Sequence, residues 1–476
     1  MKSRALANSV FMPKIAGDTT GEDTAALEGP PLTTPQTSQD SSHTTTGAIP
    51  LNVFQRLLRG WEVVHPYNAA QVMEIRRELD PAAASAAWAA TLDELQLGRV
   101  EIRKISYRHI CLNGQMNRYP VRVLPPDTCL EAFVAAELNR RFDDPGEPPF
   151  RPFLWVDATA GAWHFGVVYQ HWVADSVAVR HLLRRWLERA FQLPPQRRTP
   201  RIRHANIGYL GLLGLAAGPF HPAQTMLSLF RRHWRYRRAR KCKTLGKRDL
   251  PVGVVMRDVP ALIGKVVSAS KRLDVKVNDL FLAAAMRACD GRIPTQVRKQ
   301  RTDLAIGSII DLRPLARGAL DDRFGLFLGF AEVICGPKLI RSPRKLLADI
   351  ATQNRLHRLR GIWPSSVGYL MLAMVFRPVV KPRKLYSFFR KEAPLIAGVS
   401  NVNLTSTWVG QCGDLIAGYR RVSPTGPLAP VVFAVTSLGD RMQLSITHRL
   451  GLLSSQQARE LGDAFVAELV QLTDLD

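Results

Sequence analysis

The sequence predicts a large α/β protein built as two lobes, and three observations carry that expectation. With 476 residues and 46% apolar content, the chain can build two lobes of roughly 200 residues, near the size at which single cores stop growing. The apolar run Phe165–Tyr169 reads as a buried strand. Directly after it Val179, Leu182, Leu183, Trp186 and Leu187 recur at helical spacing, so strand passes into helix.

Taken in chain order, residues 1–49 are rich in Thr, Ser, Pro and Gly, with Phe11 the one aromatic residue, and are expected to be a disordered tail. Met1–Met12 has no apolar stretch of the length a secretory signal needs. A first lobe is placed at 50–195, a basic and apolar crossover at 196–250, and a second lobe at 251–476. Cys111, Cys129, Cys242, Cys289, Cys335 and Cys412 show no close pairing. They indicate neither a zinc site nor a disulfide framework, and a reducing, cytoplasmic setting is the simplest reading.

The strand-to-helix junction holds the first chemical signal, because His171 and Asp175 lie four residues apart on it. Neutral imidazole suits removal of a proton from a hydroxyl or amine, since its ordinary pKa lies nearest cellular pH. Asp175 would orient the ring or the loop. A loop histidine beside a helix-capping aspartate gives the same pattern, so the residues alone leave both readings open.

Further segments resemble, in the expected order, those of the chloramphenicol acetyltransferase-like superfamily. It includes peptide-synthetase condensation domains, plant BAHD acyltransferases and bacterial wax ester synthase/diacylglycerol acyltransferases. The stretch Gln170–Ser176 is similar to its His-His-x-x-x-Asp-Gly element, with Gln170 at the first histidine, His171 at the catalytic one, and Ser176 in place of the glycine. Val275–Ala288 resembles the family's Asn-Asp helix, Ile306–Leu315 its strand ending in Asp-Leu-Arg, and Gly398–Leu404 its Ser-Asn segment beside the substrate channel. Pro50–Ala83 resembles the opening strand and helix, and Leu444–Phe465 the final pair, so the likeness spans about Pro50 to Asp476. Asn403 and Leu404 stand where the family has Pro-Gly.

The resemblance implies mixed sheets flanked by helices, with a tunnel between the lobes and His171 midway along it. It also implies acyl transfer from a coenzyme A or carrier-protein thioester to a hydroxyl or amine, with His171 as general base and no acyl-enzyme. Arg313 matches the arginine that pairs with the motif aspartate, although an ion pair with Asp311 would be the ordinary alternative. Backbone amides near Ser176 and the side chains of Ser400 and Asn401 are the candidate substrate and oxyanion contacts. No bound cofactor or metal is implied; acyl-coenzyme A or an acyl carrier protein is the co-substrate.

Charge adds a partner. The net charge of +25, with an isoelectric point near 10.4, exceeds what solubility requires and points to something anionic. The apolar segment Ile207–Phe220 precedes the arginine-rich Arg231–Lys243, and Tyr369–Phe376 lies among basic and aromatic residues in the same way. This composition suits an element lying on an anionic membrane surface, here the inner leaflet, and favours a lipid-like acceptor. Nucleic acid is disfavoured, because zinc-finger spacing, RNP-like aromatics and heptad-backed basic helices are all missing from the sequence. GxSxG, P-loop and GxGxxG signatures are missing too, which argues against a serine hydrolase, a P-loop NTPase and a dinucleotide enzyme. His109, His164 and His448 sit in or beside apolar runs and read as structural. Two alternatives stand beside the acyltransferase: a stand-alone condensation enzyme that docks an acidic carrier protein, and a silent acyl-thioester-binding scaffold, for which Ser176 is the argument.

Overall fold

A computed structural model describes residues 48–103, 106–110, 120–142, 147–157, 161–194, 203–204, 222–242, 245, 250–296, 300–316, 320, 323–359, 394–406, 408, 411–426 and 429–475. The expected tail up to residue 47, the apolar segment Ile207–Phe220 and the stretch Tyr369–Phe376 with its flanks from Arg360 to Phe389 lie outside them.

The first part of the chain runs through α1 (Val53–Glu62), β1 (Asn68–Ile75), α2 (Pro81–Glu94), β2 (Arg122–Val123), α3 (Leu130–Asn139), β3 (Phe150–Asp157), β4 (Ala162–Gln170) and α4 (Ser176–Ala190). Then follow α5 (Pro222–Arg238), β5 (Val252–Pro260), α6 (Leu262–Arg272), α7 (Val277–Cys289), β6 (Leu304–Asp311), β7 (Leu328–Cys335) and α8 (Pro343–Leu359). The chain continues through β8 (Ala397–Asn403), β9 (Ile416–Val422), β10 (Val431–Leu438), β11 (Arg441–Arg449) and α9 (Ser455–Thr473).

These strands build two mixed sheets flanked by helices. The first has the order β9-β1-β4-β3-β2, antiparallel except between β2 and β3. The second has the order β5-β11-β10-β8-β6-β7, with β8 parallel to both β10 and β6. β4 is central and covered on both faces: Phe165, Val167 and Tyr169 join one core and Val168 another. Double coverage is why its sequence is a continuous apolar run rather than an alternating one. Gly166 sits under the ring of its cross-strand partner Phe153, where an added Cβ would lie 2.1 Å from the ring.

The helix periodicity read from the sequence is the buried face of α4: Val179, Leu182, Leu183, Trp186 and Leu187 are all inaccessible to solvent. Trp186 stacks on Phe165, so α4 lies on the strand that leads into it. In the second lobe Phe465 of α9 packs between Phe281 of α7 and Phe433 of β10, with centroids 6.3 and 5.1 Å away. The helix expected at Val275–Ala288 and the strands expected at Ile306 and Leu444 are α7, β6 and β11, and the Ser-Asn segment from Gly398 lies on β8.

One connection was not visible in the sequence. β9 comes from the stretch assigned to the second lobe but completes the first sheet, pairing Tyr419 with Met73 and Arg421 with Gln71. It stitches the two halves together at the level of the candidate site.

Candidate functional site

β4 ends at Gln170, and the next five residues form the tight connection to α4. Backbone bonds shape it: His171 N–H donates to Tyr67 O (3.1 Å), Val173 N–H to Gln170 O (3.0 Å) and Asp175 N–H to Gly325 O (3.0 Å). α1 braces it from outside. Its capping box, Asn52 with Gln55, also reaches across the chain: Asn52 Nδ2 donates to Leu326 O (2.8 Å) and Gln55 Nε2 to Trp172 O (3.1 Å).

His171 Nδ1 lies 3.0 Å from Ala174 O. A carbonyl oxygen can only accept, so a neutral ring carries its proton on Nδ1 and leaves Nε2 with a free lone pair. The ring stacks parallel to Tyr67 (centroids 5.7 Å, interplanar angle 6°) and meets the edge of Tyr169 (5.9 Å, 84°). Burial lowers its pKa below the ordinary value; the Ala174 bond and Asp175 oppose the shift, and Arg421 adds to it. The imidazole is therefore neutral near pH 7.

Asp175 has a different task from orienting the ring. It is fully buried and caps α4: Oδ1 accepts from Val177 N (3.1 Å) and Ala178 N (3.0 Å). Oδ2 accepts from Arg313 Nη1 (2.7 Å) and Phe327 N (2.9 Å). Burial alone would raise the carboxyl's pKa; the Arg313 charge and these bonds outweigh it and hold the pKa below the usual carboxylate value. Arg313 also contacts Asp311 Oδ1 (3.4 Å) and lies over the Phe327 ring, so both partners read from the sequence are present, with Asp175 the nearer.

His171, Ser176, Ser400 and Asn401 border one cavity of about 170 Å³ between the sheets; Asp175 and Arg313 stand behind its wall. Apolar groups make up much of the wall, among them Phe54, Leu57, Trp61, Leu328 and Phe330. Ser176 is the first residue of α4, and its buried Oγ has no hydrogen-bond partner among the described residues. Ser400 Oγ accepts from Arg421 Nη1 (3.2 Å). On the far side, Gln71 Nε2 donates to Tyr169 Oη and Ser176 O (both 3.3 Å), and Tyr419 Oη donates to Gln71 Oε1.

Sequence reasoning missed Tyr67, Gln71 and Arg421, which the strands β1 and β9 and the turn before β1 bring to the cavity. A signal existed for the last of them: in Ile416–Val422 a two-residue period puts Tyr419 and Arg421 on one face. Burial, and then the like charge of Arg180, lower the Arg421 pKa to about 10, which still leaves it cationic. His164 and His448 do not border the cavity, and each has its Nδ1 within 3.2 Å of a backbone carbonyl; the His109 side chain lies outside the described residues.

Two mixed sheets joined by an exchanged strand, with a histidine on a strand-to-helix connection facing the cavity between them, form the two-lobed chloramphenicol acetyltransferase-like fold. Among solved structures the chain is similar to TRI3 trichothecene 15-O-acetyltransferase from Fusarium sporotrichioides, with TM-score 0.65 and 11% identity over 90% of this chain and 94% of that one. It is also similar to the EpoB cyclization-docking bidomain of a nonribosomal peptide synthetase from Sorangium cellulosum (TM-score 0.62, 12% identity, 90% and 86% covered). A third is the starter condensation domain of rhizomide synthetase RzmA, in complex with C8-CoA and Leu-SNAC (TM-score 0.61, 16% identity, 91% and 96% covered). No protein-family model matches the chain, and no curated protein matches it by sequence.

Proposed function

We propose that this protein transfers an acyl group directly from a coenzyme A or carrier-protein thioester to a hydroxyl or amine, with His171 as general base. The observation that carries the proposal is the His171–Ala174 bond, because it leaves the Nε2 lone pair available in an apolar cavity. The acceptor's oxygen or nitrogen attacks the thioester carbonyl as its proton passes to His171 Nε2. The tetrahedral oxyanion then collapses, the carbon–sulfur bond breaks, and the imidazolium returns the proton to the thiolate. An ester or amide and a free thiol result, with no acyl-enzyme. The unpartnered Ser176 Oγ is the favoured oxyanion donor, with Ser400 and Asn401 further along the wall. Asp175 and Arg313 act as positioning residues, fixing the loop that presents His171.

A second reading has its own observation. On α5, Leu227, Phe230 and Trp234 are half exposed or more, and Arg231, Arg235, Arg237 and Arg238 share the helix. This stripe favours peripheral attachment to an anionic inner leaflet and a lipid-like acceptor. The same arginines would dock an acidic carrier protein if the enzyme is instead a stand-alone condensation enzyme. No helix among the described residues is long and apolar enough to cross a membrane.

The test is thiol release from short- and long-chain acyl-coenzyme A and from an acyl carrier protein, with mixed alcohol and amine acceptors, in wild type and His171→Ala. Acceptor-dependent release that falls by about 100-fold or more in the variant is expected. Release that survives the substitution removes His171 from the mechanism, and silence with every donor leaves the thioester-binding scaffold.

A further inference from the structure

Among the described residues, Arg421 is a buried guanidinium without a counter-ion. It is 3% exposed, and every hydrogen-bond acceptor it has among them is neutral: Thr436 Oγ1 (3.1 Å), Ser400 Oγ (3.2 Å), Ser400 O (3.0 Å) and Val435 O (3.0 Å). Those four bonds use four of the five guanidinium hydrogens and leave one on Nη1. Ser400 Oγ is an acceptor in this arrangement, so its own hydrogen is free to donate. Both residues border the cavity that His171 borders.

Neighbouring charge does not neutralise it. Among the described residues, the charged groups that act on one another here are the guanidiniums of Arg180, Arg313 and Arg421 and the carboxylates of Asp175 and Asp311, of which Arg421 and Asp311 border the cavity. Both carboxylates contact Arg313. One positive charge is left over, and Arg180 repels Arg421 rather than screening it. Placing a cation in a low-dielectric wall without an anion is costly. Supplying the anion with the ligand recovers that cost and makes the site selective, because a neutral analogue leaves the charge unmatched.

We infer that Arg421 and Ser400 form a receptor for a carboxylate carried by the acceptor, so that the acceptor is an amphipathic hydroxy or amino acid. One carboxylate oxygen takes the spare Nη1 hydrogen and the other the Ser400 hydroxyl, a two-point contact suited to a planar anion. The apolar wall formed by Leu57, Trp61 and Phe330 takes the hydrocarbon part. This assignment rests on the acyl-transfer reading and narrows it: the nucleophile is an alcohol or amine tethered to an anion, and the product is an O-acyl or N-acyl acid.

The test is calorimetric titration of the full chain, without acyl donor, with 3-hydroxydecanoate and with 3-hydroxydecanamide. The acid should bind about tenfold tighter or more than the amide. Arg421→Gln should remove that preference, and Arg421→Lys should retain part of it. Should Arg421→Gln fail to fold, Ser400→Ala serves instead, with a several-fold loss of acid binding and little change for the amide. Equal binding of acid and amide to wild type, binding of neither, or a preference that survives Arg421→Gln overturns the receptor. Thiol release from wild type separates the two readings. A preference for the acid in a wild-type protein that releases no thiol from any donor leaves the receptor standing and the transfer reading refuted. Turnover of a neutral alcohol as fast as of the acid does the reverse.

Discussion

The centre of the site is a division of labour between two residues that a short motif places together. His171 faces the cavity and owes its tautomer to the Ala174 carbonyl, whereas Asp175 faces away and joins α4 to Arg313 and the Phe327 amide. Substitution at Asp175 should therefore act mainly through stability. Asp175→Asn and Arg313→Ala are each expected to cost about 3–5 kcal/mol, since removing one partner strands a buried charge. The double variant should be far less destabilised than the sum, read from urea unfolding; strictly additive losses would deny the contact. Ser176 makes the opposite case. Its hydroxyl is buried, unpaired and part of the cavity wall, so Ser176→Ala should leave the unfolding midpoint near wild type. The substitution should lower kcat by about 100-fold if the hydroxyl holds the oxyanion. Unchanged kcat would move that role to other donors.

At the scale of elements, the strand–loop–helix β4–α4 was legible because each part obeys a local rule: a run covered on both faces, then a helical stripe, with a capping aspartate between them. The exchanged strand β9 was not, because nothing local says which sheet an edge strand joins. Its position depends on the pairing of Arg421 with Gln71, 350 residues back along the chain. On α5 part of the sequence's basic charge lies beside exposed apolar residues. Leu227, Phe230 and Trp234 fall three and four residues apart and so share a face, Phe230 meets Trp234 edge-on, and Arg237 lies 5.1 Å from the Trp234 ring. Wild type is expected to float with anionic liposomes at low salt, and a Phe230→Ser, Trp234→Ser variant to stay at the bottom of the gradient. A variant that floats as well as wild type would take α5 out of membrane attachment.

Across the whole molecule, buried and half-buried histidines contribute to the response to acid. Burial lowers the pKa of His65 and His181 to about 4, helped by Arg449 and by Arg180 with Arg313 respectively; His164, His171 and His448 are lowered for the same leading reason. The unfolded chain binds those protons from about pH 6.5 downward while the folded chain resists them, so stability falls as pH drops through that window. The Tm should decline from pH 6.5 toward 4, and a flat Tm there would contradict the burial of these rings. The acid limb of kcat/KM should likewise lie below 6.5, because a protonated His171 cannot act as base. What the sequence by itself determined is whatever neighbouring residues decide: the α/β character, the strand and helix around His171, and the cap at Asp175. The motif resemblance extended this to the pairing with Arg313 and the approach of Ser176, Ser400 and Asn401. Only the tertiary structure decided the rest. Arg421 reads in the sequence as one arginine among many on a strongly basic chain, and it becomes a buried, unneutralised charge only when β9 carries it between two sheets and away from water. Burial and counter-ion distance are properties of the assembled fold, so no window of sequence contains them.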